Sequence, residues 1–385
     1  MQGGFGWRGF GLHGFAGRGF GGQCAIAMLS MGWLLVCQSI GSAQRWEWTR
    51  LAEFPNTAGV ASPFAGVAGH TLLVAGGANF PNKKPWEGGL KVWHDDVYAL
   101  ESPTSQWRKI GVLKRPVAYG VSATWEQGIL CAGGSDDRGH LDEVFRIRID
   151  NSELRIDALP SLPVRLANAC GAIVDDLLIL SGGLQQPDAP ECENRTWALD
   201  LAALDASNDA KVLAWRELAV MPGRPRMLAT AASHQGCLWV LGGVSLVRGP
   251  DGKPMRQYLK DCWKFQPDRE TRVGRWTRQA DLPQALAASP GPAMVVDDSL
   301  WVFGGDDGSQ VGVAPSEHRG FSKKLFEFDT VAERWKIEAA QTPETPEAQA
   351  SRVTVPLVPW SDGWVIPSGE FKPGIRSADV WFIRK

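Results

Sequence analysis

The stretch SGEFKPGIRSADVWF near the carboxyl end sets Glu370 and Arg376 six residues apart across a Lys372-Pro373-Gly374 turn. These residue types can do chemistry together. A positioned carboxylate takes up and returns a proton, and a guanidinium holds an anion through a planar fork of donors. The Pro-Gly turn is stiff enough to aim both side chains at one ligand. The same spacing serves an ordinary surface ion pair, and the residues alone leave both readings open. Other chemistry finds little material. Six histidines show no metal-ligand spacing and seven cysteines contain no CxxC pair, so neither zinc nor a disulfide framework is indicated, and no cofactor is implied. Cys131, Cys170 and Cys237 fall in or beside expected inner strands, as small buried apolar residues do. Cys192 and Cys262 lie nearer loops, where they could pair.

The elements that position Glu370 and Arg376 belong to a repeat. TLLVAGGANF, GILCAGGSDD, LLILSGGLQQ, CLWVLGGVSL and SLWVFGGDDG each carry an apolar run into a Gly-Gly pair, at 76, 133, 182, 242 and 304. GWVIPSGEFK is a sixth copy with Ser368 in place of the first glycine. Spacings of 49 to 64 residues suit four-stranded propeller blades. An apolar segment and a polar turn precede each copy, and an alternating strand such as DDVYAL, DCWKFQ or ADVWFI follows it. A fourth strand opens on Trp107, Trp215, Trp276 or Trp335, with the second blade degenerate at LRIDALP. The sixth copy ends at Lys385 without a fourth strand, while WTRLAEFP at Trp48 to Pro55 repeats the missing pattern. The expected fold is therefore all-β, a six-bladed propeller whose last blade is closed by the amino-terminal strand. The glycine pairs permit positive φ and close backbone approach; no helix pattern follows them, so they are not phosphate loops.

Strand direction alternates within a blade, which brings the loops between second and third strands to the face that carries the inter-blade connections. That face gathers residues 79–93, Ser135 to Arg138, Gln185, Gln186, 306–323 and 370–376, with Arg115, Tyr119, Arg165 and Arg226 from the connections. Such a set describes a polar pocket for a small molecule. Each member also has a plainer role. Asp306 and Asp307 suit turn capping, the arginines suit bracing of loops, and Tyr119 suits a rim or core aromatic whose hydroxyl is free to donate. Most tryptophans suit blade packing, leaving Trp86 and Trp93 as wall candidates.

Residues 1–43 differ from the rest. A Gly/Phe-rich part with Arg8 and Arg18 precedes an apolar run from Cys24 to Ile40 and the small residues Gly41 and Ala43. This order reads as a secretory signal peptide, with residues 44–385 as the mature propeller in the periplasm or outside the cell. A retained membrane anchor is the alternative, and translation could start at Met28 or Met31. A net charge of −2 removes the electrostatic case for nucleic acid or an anionic membrane.

AGGANFPNKKPWEGG, VAYGVSATWEQGILCAGG and GEFKPGIRSADV resemble the Kelch-type N-acetylneuraminate epimerases, or sialate mutarotases, and the likeness runs from about Arg45 onward. In the typical member the Glu-x-Lys-Pro-Gly-x-Arg segment stands mid-chain, so the order here resembles the cyclically permuted branch. The resemblance implies interconversion of the α and β anomers of N-acetylneuraminate in the bacterial periplasm. It implies Glu370 as proton acceptor with Arg376 beside it. Asn79 and Arg226 are further expected binders, along with Arg115 and Tyr119. One departure stands out: the family often has arginine just before AYG, where this chain has Val117. Either Arg115 replaces it or the sugar acid differs. The rival class is a secreted propeller that binds glycan or protein without catalysis. Sialidase-type Ser-x-Asp-x-Gly-x-x-Trp turns are missing, and three tyrosines without paired histidines give copper-radical chemistry little to use.

Overall fold

The computed structural model describes residues 46–202, 214–268, 270–271, 273–338, 345 and 349–385; the expected signal segment, 1–43, lies outside them. Six four-stranded antiparallel blades follow one another along the described chain. Blade 1 runs Phe64–Ala68, Thr71–Ala75, Asp96–Leu100 and Arg108–Val112. Blades 2, 3 and 5 span 121–159, 170–217 and 294–337. Blade 4 is built of Thr230–His234, Cys237–Arg248, Pro254–Gln266 and Arg275–Gln279. Blade 6 has Val358–Trp360, Gly363–Pro367 and Val380–Arg384, and takes its fourth strand, Glu47–Arg50, from the start of the described chain. Glu47 pairs with Arg384 and Arg50 with Trp381, so the seam closes as the sequence predicts and leaves no bare edge there.

Second strands such as Thr71–Ala75 are apolar on both faces because blades stack face to face. Phe64, Leu73, Ala75 and Val97 of blade 1 pack on Ile129, Cys131 and Ile147 of blade 2. The fourth-strand tryptophans fasten the outside: Trp107, Trp215, Trp276 and Trp335 donate their indole N–H to the carbonyls of Ala52, Pro160, Ala219 and Ala280, each 55 to 57 residues earlier. The recurring tryptophan is thus a blade-to-blade fastener as well as core volume. All five described cysteines are buried and free, so the pairing considered for Cys192 with Cys262 does not occur.

The inside is fastened chiefly by backbone, with one added bond from the Ser62 hydroxyl to Thr354 O at 3.3 Å. Ser62, Tyr119, Asn168, Leu228, Ala288 and Thr354 lead into the six first strands, all with φ between 44° and 66°. Tyr119 N donates to Ser62 O, Asn168 to Tyr119, Leu228 to Asn168, Ala288 to Leu228, Thr354 to Ala288, and Ser62 back to Thr354, at 2.6 to 3.0 Å. This closed circle satisfies peptide groups that the axis would otherwise leave without partners, and it sustains a backbone conformation that costs each non-glycine residue on the order of 1 kcal/mol. These six residues line an axial cavity of about 110 Å³.

The glycine pairs sit just above that circle. A Cβ on Gly76 would collide with the carbonyl of Val117. Ser368 holds the equivalent left-handed conformation at φ 86° and offsets the strain with its hydroxyl, which donates to Ser377 O at 2.7 Å and accepts from Val60 N at 2.8 Å. The outstanding irregularity is blade 4. Its middle strands continue past Gly243 as a projecting hairpin pairing Val244 with Tyr258 and Arg248 with Pro254, beyond a register shift at Leu241/Gly243.

Candidate active site

One residue per blade follows the glycine pair and bridges back to the residue before the axial circle: Ala78, Ser135, Leu184, Val244, Asp306 and Glu370. Only the neighbouring blades 5 and 6 place a carboxylate there. After Glu370 the chain forms a miniature hairpin, Glu370–Lys372 against Ile375–Arg376, with Glu370 directly opposite Arg376. Directly opposed residues share a face, which is why the two side chains meet. Arg376 Nη2 lies 2.9 Å from Glu370 Oε2, and Gly374 N donates to Glu370 Oε1 at 2.9 Å. The turn between them requires Gly374, whose φ is +73° and whose absent Cβ would lie 2.8 Å from Pro85 Cγ.

Only 5% of the Arg376 side chain is exposed, yet its Nε and Nη1 have no hydrogen-bond partner among the described residues. A buried guanidinium with unused donors is costly unless an acceptor arrives. Burial pushes the Glu370 carboxyl above its ordinary value of 4.5; the charge of Arg376, the Gly374 N–H and the charges of Lys91 and Arg256 oppose this without cancelling it.

The 79–93 loop of blade 1 supplies the neighbouring wall. Ala78–Asn79 pairs with Val92–Trp93, and a 3₁₀ turn at Pro85–Glu87 brings Pro85 and Trp86 against Gly374. The Arg376 guanidinium lies 4.9 Å from the Phe80 ring centroid. Lys91 Nζ is within 5.0 to 5.9 Å of the Tyr119, Trp93 and Phe80 rings, a cationic head among three aromatic faces.

The expected site residues therefore divide. Glu370, Arg376 and Tyr119 come together around this wall, with Trp93 donating to Ser135 Oγ at 3.4 Å behind it. Asn79 is 1% exposed with its amide committed to Asn56, Gly59 O and His94, so it is a loop brace where a ligand contact was expected. Arg115 reaches Asp136 and Glu143 and borders a cavity of about 420 Å³ wedged between blades 1 and 2, while Val117, where the resemblance led to the expectation of an arginine, is buried in the core. Arg226 is likewise a brace: it is 1% exposed and forks onto Asp261 at 2.6 and 3.1 Å while also donating to Gly242 O. Arg352 and Asp379 repeat that brace between blades 5 and 6. Asp307 caps its own turn through Ser309, whereas Asp306 caps Gly308 and also accepts from the Tyr258 hydroxyl at 2.6 Å.

The sequence reading named neither Lys91 nor anything from blade 4. The signal for the second was present: VSLVRGPDGKPMRQYLK has strand-like residues on both sides of a Pro-Asp-Gly turn, the mark of a hairpin longer than the repeat requires.

Residues 36–156 match the family model of N-acetylneuraminate epimerase. Over part of its length the chain is similar to N-acetylneuraminate epimerases. It is 35% identical over 126 residues to an N-acetylneuraminate epimerase of Brucella suis, covering 29% of this chain and 32% of that protein. With one from Haemophilus influenzae it shares 32% identity over 248 residues, 57% of this chain and 58% of the relative. The chain thus aligns with about a third to somewhat over half of the length of these epimerases. The solved structure titled "Structure of YjhT" superposes with a TM-score of 0.62 at 15% identity over 87% of this chain and 97% of that one, a likeness of fold. The family-model match holds Phe80, Lys91, Trp93 and Tyr119 and ends before Glu370 and Arg376.

Proposed function

We propose that this protein is a mutarotase that interconverts the α and β anomers of N-acetylneuraminate, with Glu370 moving the proton and Arg376 holding the sugar's carboxylate. The observation that carries the reading is the incompletely satisfied pair itself: a buried carboxyl with raised proton affinity beside a buried guanidinium with idle donors. The partial likeness to N-acetylneuraminate epimerases supports a sugar acid as the substrate class.

The chemistry follows from those groups. Glu370 as carboxylate takes the proton of the anomeric hydroxyl while the bond from the anomeric carbon to the ring oxygen breaks. The resulting carboxylic acid returns that proton to the ring oxygen, leaving an open-chain ketone and a regenerated carboxylate. Rotation about the bond next to the ketone and reversal of both transfers give the other anomer. No proton is gained or lost. A carboxyl lifted above its ordinary value suits both halves, since it must accept and then donate. Arg376 exchanges some of its hold on Glu370 for the substrate carboxylate, which aligns the sugar and frees the base.

A second sugar acid remains a specific alternative because of Val117. Lys91 over the Tyr119 ring offers a cation on that side, and its different position could select a different acid. The proposed setting is the periplasm or cell exterior after removal of residues 1–43, and amino-terminal sequencing of the exported protein tests it.

The test of function is proton NMR of freshly released α-N-acetylneuraminate. Wild-type protein should speed the approach to anomeric equilibrium, and folded Glu370→Gln should not. An unaltered rate with wild type while another keto-sugar acid is accelerated would transfer the reading to that acid; acceleration of neither would remove it.

A further inference from the structure

Blade 4 carries its own middle strands past the glycine pair as one long hairpin. Its middle strands have 12 and 13 residues, against five for Thr71–Ala75 and Asp96–Leu100 of blade 1. The extension begins at Val244, the blade 4 equivalent of Glu370, and so rises from the mouth of the axis. Tyr258 fixes its lean. The ring packs against the buried cluster of Leu184, Cys192, Met227, Val244 and Ala287 beside the axial circle, and its hydroxyl donates to Asp306 Oδ2 at 2.6 Å, the blade 5 equivalent of Glu370. Gly308 has no side chain against that ring; a Cβ there would lie 2.6 Å from Tyr258 Cδ2.

Side chains two residues apart in a strand share a face. Arg256 therefore lies on the face that Tyr258 turns toward blade 5, about 7 Å farther along the hairpin by strand rise. It is exposed and has no ion-pair partner among the described residues, yet its charge is felt both at Tyr258 and at Glu370. A hydrogen bond to the Tyr258 side chain engages part of its fork, and the remaining donors are available to a ligand in the mouth.

We propose that the blade 4 hairpin is the far wall of the site and that Arg256, positioned by Tyr258 and Asp306, is a second substrate contact. It takes the hydroxyl-bearing part of a sugar acid whose carboxylate lies on Arg376. This rests on the sugar-acid reading above. Arg256 touches the substrate; Tyr258 and Asp306 act through it as positioning residues.

The experiment compares wild type with Arg256→Met, Arg256→Lys and Tyr258→Phe by two readouts. The first is anomer-exchange kinetics with α-N-acetylneuraminate. The second is the titration midpoint of Glu370, followed by carbon-13 NMR of labelled glutamate and assigned with Glu370→Gln. A charge-assisted hydrogen bond predicts that Arg256→Met raises KM about 10- to 100-fold with kcat within about threefold. It should also raise the Glu370 midpoint. Arg256→Lys should restore the midpoint and leave KM elevated, because it keeps the charge and loses the fork. Tyr258→Phe should raise KM by a smaller factor. Unchanged KM and midpoint in Arg256→Met overturn the proposal. If wild type does not act on N-acetylneuraminate, the sialate reading fails separately. The midpoint still decides: an upward shift keeps Arg256 at the site, and an unmoved midpoint overturns it.

Discussion

Arg226 with Asp261 and Arg376 with Glu370 are both buried arginine–carboxylate pairs, and they are opposites. Arg226 places Nη1 and Nη2 on the two oxygens of Asp261, donates again to Gly242 O and turns Nε to Arg224 O. Arg376 makes one contact to Glu370 and leaves Nε and Nη1 unpartnered. Burial pushes both carboxyls up. At Asp261 the hydrogen bonds and charge of Arg226 and the Trp263 indole outweigh it and hold the group below its ordinary 3.8, while at Glu370 burial prevails. The two pairs therefore differ in how much of the arginine's hydrogen-bonding capacity is spent, and it is Arg376 that has two idle nitrogens among the described residues. Arg352 stands between, with Nη1 and Nη2 occupied and Nε without a partner, its guanidinium 5.6 Å from the Phe371 ring.

The sharpest way to break this contrast is to disrupt the two pairs in turn. Glu370→Gln should lower kcat about 10²- to 10⁴-fold, the usual worth of a positioned acid/base group, in the anomer-exchange assay. Its thermal stability near neutral pH should be equal to or above that of wild type. Arg226→Met should do the reverse: it leaves Asp261 with the Trp263 indole but no countercharge and should cost about 3–5 kcal/mol in urea unfolding, with turnover per folded molecule retained.

The pH dependences should run in opposite senses. Glu370 must be deprotonated to act, so kcat/KM should fall as pH drops through its folded value, giving an acid limb above 4.5. Its stability contribution, from a raised folded value, is present in full below 4.5 and lost as pH rises through that folded value. Asp261 is depressed, so its contribution is present above 3.8 and lost as pH falls through its folded value. Urea unfolding across the acid range, with Glu370→Gln and Asp261→Asn, separates the two slopes. The smallest expected effect is that of Lys91→Met, a KM increase of about two- to fivefold if the ammonium over Tyr119 serves the ligand as one exposed cation does. A decrease in KM would show that it obstructs the site.

Much of the ring was legible because its cause is local and repeated. The glycine pairs, the fourth-strand tryptophans and the strand displaced from the carboxyl end to Glu47–Arg50 each leave a pattern in the sequence. The Glu370–Arg376 encounter was also legible, since a short hairpin decides it within seven residues. Asn79, Arg115 and Arg226 were not, because their side chains answer to partners 15 to 35 residues away: His94, Asp136 and Asp261. Nothing in a residue's type reveals whether its donors are already taken. The blade 4 wall depends on a register shift beside Gly243 and on Asp306 of the next blade, both tertiary facts.

On the proposed function Arg376, and not Arg226, keeps its donors for a sugar carboxylate. Proton–nitrogen NMR of the arginine Nε–H groups, assigned with Arg376→Lys and a folded Arg226→Lys variant, tests it directly during titration with N-acetylneuraminate. The account predicts that the Arg376 signal moves with saturation while the Arg226 signal stays fixed. A saturating ligand that leaves Arg376 unmoved, or that moves Arg226 instead, would contradict it.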